Sequence, residues 1–176
     1  MSDTTSRKCS LADLNACSVQ DFVARFGGVF EHSPWIAETA AQLRPFESVA
    51  DLHEKMTMLV AQSSPEAQLA LIEAHPDLAG RLAKMGQLTA ESTREQAAAG
   101  LSQSDEATLA KITELNTAYR AKFGFPFIIC ARLNNVSTII EAMGQRVSND
   151  RGVEIDIALT EIYKIARLRL DDIVEA

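Results

Sequence analysis

His75 is the first side chain in this sequence whose position suggests chemistry. It ends the run ALIEAH, and Pro76 follows at once. Proline excludes the ordinary continuation of a helix and pushes the preceding residue toward extended geometry, so a helix should end here with the imidazole held in one direction. An imidazole titrates near neutral pH and suits proton transfer. The spacing alone favours a structural histidine that only bonds to a backbone carbonyl.

A second group of polar side chains lies in the run ESTREQAAAG, residues 91–100. Ser92, Glu95, Gln96 and Ala99 stand at i, i+3, i+4 and i+7, so they share one helix face. A hydroxyl, a carboxylate and an amide in a row would suit recognition of a polar, planar ligand. The simpler interpretation is a solvent-facing helix surface, and the pattern by itself favours that one.

The third unusual stretch is FGFPFIICAR, residues 123–132. Gly124 and Pro126 alternate with phenylalanines, which indicates a stiff apolar loop after a helix. The run FIICA fits a buried strand or a buried helix, because periodicity does not separate the two over so few residues. It either packs in the core or forms a pocket wall whose backbone N–H groups face a ligand.

Other kinds of site find no support in the sequence. The three histidines, His32, His53 and His75, are far apart, and no H-E-x-x-H or Cys/His cluster occurs, so we expect no metal. Phosphate-loop, dinucleotide-binding and serine-hydrolase signatures are absent as well. The three cysteines are odd in number and lack C-x-x-C spacing, which favours a reducing compartment without a disulfide framework.

The elements that must position these residues all have helical periods. We predict an all-α fold, a single domain over residues 1–176 with about eight helices and no confident strand, in which residues 1–10 are flexible. The hydrophobic share of 47% and the charged share of 23% are typical of a globular domain. The following positions are predicted as helix caps or stops: Ser18, Ser33, Thr89, Gly100 and Ser104. One apolar stripe is predicted to run through Leu109, Ile112, Leu115 and Tyr119.

Charge and hydropathy limit the partners. The net charge of −7 disfavours nucleic acid and anionic membranes, which both attract basic surfaces. No apolar segment reaches the roughly 20 residues that span a bilayer. The polar N-terminus lacks the apolar region of a signal peptide. We therefore expect a cytoplasmic protein. The negative charge does not exclude a small anionic substrate, which needs only one or two local donors.

Four blocks, taken together and in order, resemble a known family. They are HPDLAGRLA, LTAESTREQAAAGL, LNTAYRAKFGFPFIICAR and EIYKIARLRLDDI. They are similar to 2-oxo-4-hydroxy-4-carboxy-5-ureidoimidazoline (OHCU) decarboxylase, and the similarity runs from about residue 18 to the C-terminus. The resemblance implies an all-α, cofactor-free carboxy-lyase, commonly a homodimer, that converts OHCU, a late product of urate oxidation, to (S)-allantoin.

The resemblance also implies roles for individual residues. His75 matches the catalytic histidine and Glu95 its catalytic acid partner, which either fixes the histidine tautomer or engages the substrate hydroxyl. The arginine contact is expected at Arg169, although Arg167 two residues earlier competes for that role. The implied substrate contacts are Pro76, Ser92, Gln96, Phe127, Ile128, Ile129, Cys130, Ala131 and Arg169.

Two alternatives remain open at this stage. One is a hydrolase of a related ureide in which Glu95 activates water. The other is a non-catalytic helical module that binds ureides without turnover. Product analysis separates the first alternative from a decarboxylase, and saturable binding without product would identify the second.

Overall fold

Helices account for the regular structure of the described part of the chain, as the sequence predicts. The computed structural model describes residues 8–79 and 88–175. The described α-helices are α1 Leu11–Ala16, α2 Val19–Phe26, α3 Trp35–Ala40, α4 Val49–Ala61, α5 Pro65–Glu73, α6 Ala90–Ala98, α7 Glu106–Phe123, α8 Val136–Arg146 and α9 Arg151–Ile173. Short 3-10 turns lie at Ala41–Leu43, Leu101–Gln103 and Ala131–Leu133. The one β-bridge found among the described residues joins Cys9 to Val174. The all-α prediction is confirmed.

The chain divides into two compact units. The first comprises Met1–Leu71 and Tyr163–Ala176, and the second comprises Ile72–Ile162. In the first unit, α3 packs on α2 and α4 around buried aromatic rings such as Phe22 and Phe26. In the second unit, α7 packs on α8, and the Tyr119 ring meets the Phe127 ring edge-on at 5.2 Å between centroids. A single domain over residues 1–176 stays a prediction, as does flexibility of residues 1–10, of which residues 1–7 lie outside the described residues.

Most predicted helix ends are confirmed. The side chains of Ser18 and Thr89 each accept a backbone N–H at the first turn of α2 and α6. Gly100 follows α6 in the left-handed conformation, with φ of 83°, which glycine adopts at little steric cost. Two caps were wrong. Asp105, not Ser104, caps α7, and Ser33 donates its hydroxyl to the Glu31 carbonyl instead of capping α3.

The predicted stripe of α7 is confirmed at Ile112 and Tyr119 and wrong at Leu109 and Leu115. Its buried residues are Ile112, Asn116, Tyr119 and Phe123, whereas Leu109 and Leu115 are only half-buried. The sequence prediction counted apolar residues and therefore passed over Asn116. A buried amide on an apolar stripe needs a specific partner, because burying an unpaired polar group costs free energy.

The described residues contain no helix that is both long enough and apolar enough to cross a bilayer.

Candidate active site

The segment after α5 places His75 at the start of a turn. Helix α5 ends at Glu73, and the His75 N–H donates to the Ile72 carbonyl at 3.2 Å. His75 is 7% exposed, although its chain neighbours Ala74 and Pro76 are only half-buried. The stop that Pro76 predicts is thus present. With the helix ended at this point, the imidazole of His75 lies in the protein interior rather than in solvent.

The polar face of α6, defined as Ser92, Glu95 and Gln96, is buried. The exposed fractions of these side chains are 5%, 9% and 7%. Thr93 and Ala97, on another side of the same helix, are exposed. A solvent-facing surface is therefore the wrong interpretation of this pattern. Three polar groups buried on one helix face can present donors and acceptors to a small polar molecule.

The third predicted segment, residues 127–131, lies in the same unit and is buried throughout. It is neither strand nor helix, since residues 126–130 are irregular and a 3-10 turn begins at Ala131. That 3-10 turn contacts α6. The side chain of Gln96 reaches the turn after His75, where its Oε1 accepts the Ala79 N–H at 2.9 Å. Helix α6 therefore connects the His75 turn to the 127–131 segment.

Two buried carboxylates that the sequence analysis missed hold the 127–131 segment. Glu161 accepts the Cys130 N–H at 2.8 Å. Glu154 binds Arg146 at 2.9 Å, and Arg146 donates to the Ile128 carbonyl at 2.7 Å. The only available signal was the recurrence of acids on the buried side of α9, which apolar periodicity does not register. Protein groups therefore already bind some backbone polar atoms of this segment.

The Glu154 carboxylate titrates unusually because of its surroundings. Burial alone would raise its pKa. Hydrogen bonds from Arg146, Tyr119 and Asn149 outweigh burial and hold the pKa of Glu154 below its ordinary value of 4.5. The Tyr119 hydroxyl donates to the same carboxylate, and burial together with this bond raises the pKa of Tyr119 well above its usual range. Around neutral pH, the Glu154 carboxylate is therefore ionised and the Tyr119 hydroxyl is protonated.

The two arginines that compete for the substrate contact both lie in the first unit, and they differ sharply in burial. Arg169 is 4% exposed, and its Nη1 donates to Glu31 at 2.9 Å and to the Gly28 carbonyl at 3.1 Å. The Arg167 side chain is 42% exposed and pairs with Asp171, one turn along α9. Of the two arginines, Arg169 is therefore the buried one. Glu31 is a further functional candidate that its sequence neighbourhood did not reveal.

A cavity of about 290 Å³ adjoins the polar face of α6. Ala79 and Gln96 line it together with Thr93 and Ala97, whereas His75, Ser92 and Glu95 do not. It therefore shares Gln96 with the polar face but neither Ser92 nor Glu95. Among the described residues, no group of three or more His, Cys, Asp or Glu side chains has a geometry that could hold a metal ion.

Comparison with known proteins fits this arrangement. The family model for OHCU decarboxylase matches residues 15–171. The chain belongs to the OHCU decarboxylase family. It is 39% identical over 165 residues to 2-oxo-4-hydroxy-4-carboxy-5-ureidoimidazoline decarboxylase of Amia calva, with 94% of each chain covered.

Two further comparisons involve longer proteins. The chain is 41% identical to the uric acid degradation bifunctional protein PucL of Bacillus subtilis (strain 168), across 94% of this chain and 33% of that protein. A crystal structure of (S)-allantoin synthase aligns with a TM-score of 0.75 at 30% identity, across 94% of this chain and 54% of that chain. The chain thus spans about half of that solved protein and a third of PucL. The family and the all-α fold found from the sequence are confirmed.

Proposed function

We propose that this chain decarboxylates OHCU to (S)-allantoin in urate degradation, without a cofactor and with proton delivery to one face. The family match over residues 15–171 carries the proposal. Burial of His75 and of the polar face of α6 supports it, because a solvated face would offer no preorganised site.

The substrate itself can accept the electrons that decarboxylation leaves behind. The C4 carbon carries the carboxylate and a hydroxyl, and it adjoins a ring C=N at C5. When the C4–carboxylate bond breaks and CO2 departs, the electron pair forms a C4=C5 bond, and the ring nitrogen takes a proton. The hydroxyl then loses its proton to become the C4 carbonyl, and C5 gains a proton. The balance requires proton transfers and charge stabilisation but no external electron sink.

His75 and Glu95 are the two groups that we assign to these proton transfers. An imidazole works as acid or base near neutral pH, and a carboxylate can accept the hydroxyl proton. Their loss should have different consequences. Removal of the group that protonates C5 lowers the enantiomeric excess of the allantoin. Removal of the group that acts on the hydroxyl slows CO2 release while the surviving product keeps its handedness.

The remaining candidates bind and orient the substrate. Ser92 and Gln96 match the ureido and ring amides, and Pro76 and the apolar residues 127–131 exclude water, which strengthens each polar contact. At Cys130 the N–H is already bound to Glu161, so its neighbours in the segment supply any backbone contact. Arg169 is the arginine that we assign to an anionic or carbonyl oxygen of the substrate, since it is buried and Arg167 is exposed.

We also propose that the chain forms a homodimer in the cytoplasm and binds neither membranes nor nucleic acid. The resemblance supports the dimer, and the net charge of −7 supports the lack of nucleic-acid binding. Light scattering after size-exclusion chromatography should give twice the chain mass of 19.2 kDa. A single-chain mass across micromolar concentrations would contradict the dimer.

The test of the activity uses freshly generated OHCU and follows both CO2 release and the organic product. The wild-type protein should accelerate CO2 release and yield allantoin. His75→Asn should lose most of this acceleration, whereas His32→Asn is the matched control, because the His32 side chain is 68% exposed and asparagine tolerates its positive φ. A product that retains the carboxylate would identify a hydrolase, and binding without product would identify a non-catalytic module. Either result rejects the proposal.

A further inference from the structure

One peptide group in the turn after His75 is bound at both ends by side chains from two different helices. The group is the peptide bond between Leu78 and Ala79. Its carbonyl oxygen accepts from Asn116 Nδ2 of α7 at 2.8 Å, and its N–H donates to Gln96 Oε1 of α6 at 2.9 Å. The orientation of this peptide plane is therefore set from outside the turn.

The conformation of the turn explains why such support is needed. Ala79 has φ of 48°, in the left-handed region that an alanine rarely occupies. A residue in this region keeps its conformation only where the surrounding structure enforces it. Rotation about this φ would turn the Leu78–Ala79 peptide, which lies three residues after His75. The two side-chain bonds resist that rotation.

The contact from Asn116 is shielded from water. Asn116 is 8% exposed and Leu78 is 6% exposed. A third contact to the turn, between Arg120 and Asp77, is by contrast an ion pair with side chains 47% and 33% exposed. Exposed pairs of this kind contribute little. Asn116 and Gln96 are therefore the contacts that can fix the turn.

The amide oxygen of Asn116 is placed less favourably than its nitrogen. Its Oδ1 is buried and has no hydrogen-bond partner among the described residues. The amide cannot simply be reversed, because the Leu78 carbonyl accepts hydrogen bonds and donates none. Ile112, Tyr119 and Phe123 surround this position on the stripe of α7. A hydrocarbon side chain would remove this unpaired acceptor and leave the buried Leu78 carbonyl without its donor instead. One unpaired acceptor replaces another, so an asparagine brings little net stability here.

We infer that Asn116 is a positioning residue for catalysis: through the Leu78–Ala79 peptide it fixes the backbone from which His75 enters the site. This inference rests on the catalytic role proposed for His75. Asn116 itself touches neither substrate nor reacting atoms in this account. Its contribution is the placement of a proton-handling group, where small displacements have large effects on rate.

The test replaces Asn116 with leucine, which has a similar shape and neither donates nor accepts. The variant leaves the Leu78 carbonyl without this donor but also removes the unpaired Oδ1. Since one unpaired acceptor replaces another, its thermal unfolding should stay near that of the wild type. Thr117→Val is the matched control. Thr117 is exposed on the same helix and bonds only to the Thr113 carbonyl at 2.8 Å, within the helix itself.

With OHCU as substrate, Asn116→Leu should lower kcat by about 10- to 100-fold with KM nearly unchanged, and the enantiomeric excess of the allantoin should fall. Thr117→Val should match the wild type in all three quantities. Unchanged kcat and enantiomeric excess per folded molecule would overturn the inference, as would a loss that follows the unfolded fraction alone. An inactive wild-type protein would instead refute the proposed function.

A second measurement does not depend on turnover. The chain has three histidines, so its NMR spectrum holds three imidazole Cε1–H signals, and His75→Asn assigns one of them. Asn116→Leu should shift the His75 signal and leave those of His32 and His53 in place. A His75 signal that stays at its wild-type position would overturn the inference even if the protein has no activity.

Discussion

Arg146→Leu should lower the stability of the second unit far more than the loss of a solvent-exposed ion pair would. The substitution leaves the Glu154 carboxylate, which is 0% exposed, without its cation, and it deprives the Ile128 carbonyl of a donor. It also removes a guanidinium that lies 4.3 Å from the centroid of the Phe127 ring. Breaking a buried ion pair from one side costs about 3 to 5 kcal/mol. Tyr119 and Asn149 still donate to Glu154, so we expect the lower half of that range.

Urea denaturation followed by circular dichroism measures this cost. With an m value of about 2 kcal/mol/M, the midpoint should fall by about 1.5 to 2 M. Arg167→Leu is the matched control, since its pair with Asp171 is 42% and 44% exposed and should cost at most about 1 kcal/mol. The double variant Arg146→Leu/Glu154→Leu should cost less than the sum of the two single variants, because the unpaired buried charge is gone. Equal midpoints for Arg146→Leu and Arg167→Leu would refute this reasoning.

Three further outcomes follow from the same contacts. Gln96→Leu leaves the buried Ala79 N–H without an acceptor and should lower the free energy of unfolding by about 1 to 3 kcal/mol, measured by urea denaturation; an unchanged midpoint would show that this bond contributes nothing. Ser92→Ala should raise KM for OHCU about 10-fold with a smaller change in kcat, as loss of one hydrogen bond to a bound ureide requires; an unchanged KM would remove Ser92 from the binding site. The pKa of Glu154 is lowered on folding, so its contribution to stability is complete above 4.5 and is lost as the pH falls through the lower folded value. From about pH 6 to about pH 3, Glu154→Gln should therefore lose less stability than the wild type, and parallel stability curves would contradict the assigned pKa.

The sequence predicted the parts of the site that depend on local geometry. A proline that follows a helical run, as Pro76 does, ends the helix through local sterics alone. The spacing of Ser92, Glu95 and Gln96 likewise puts them on one face of any helix. Which side of that helix is buried depends on distant residues, and spacing alone favoured the wrong side. The resemblance to the family implied that this polar face contacts the substrate, which periodicity alone did not indicate.

Groups that act across the fold were harder to predict. Asn116 was hidden because an apolar stripe is found by counting hydrophobic residues, and its partner Leu78 is 38 residues away. Glu154 and Glu161 look like ordinary helix-surface acids until α9 is packed, when they bind Arg146 and the Cys130 N–H. Ser33 resembles a cap in sequence, yet it bonds to the Glu31 carbonyl. Each of these contacts depends on tertiary structure.

The handedness of the allantoin separates catalysis by this protein from spontaneous decarboxylation of OHCU. Freshly generated OHCU is mixed with the wild-type protein, and circular dichroism follows the allantoin as it forms. With the wild-type protein, the signal of the S enantiomer should grow in proportion to protein concentration, and with His75→Asn it should stay close to zero. Allantoin that forms at the spontaneous rate and without optical activity in the presence of folded wild-type protein would show that this chain is not an OHCU decarboxylase.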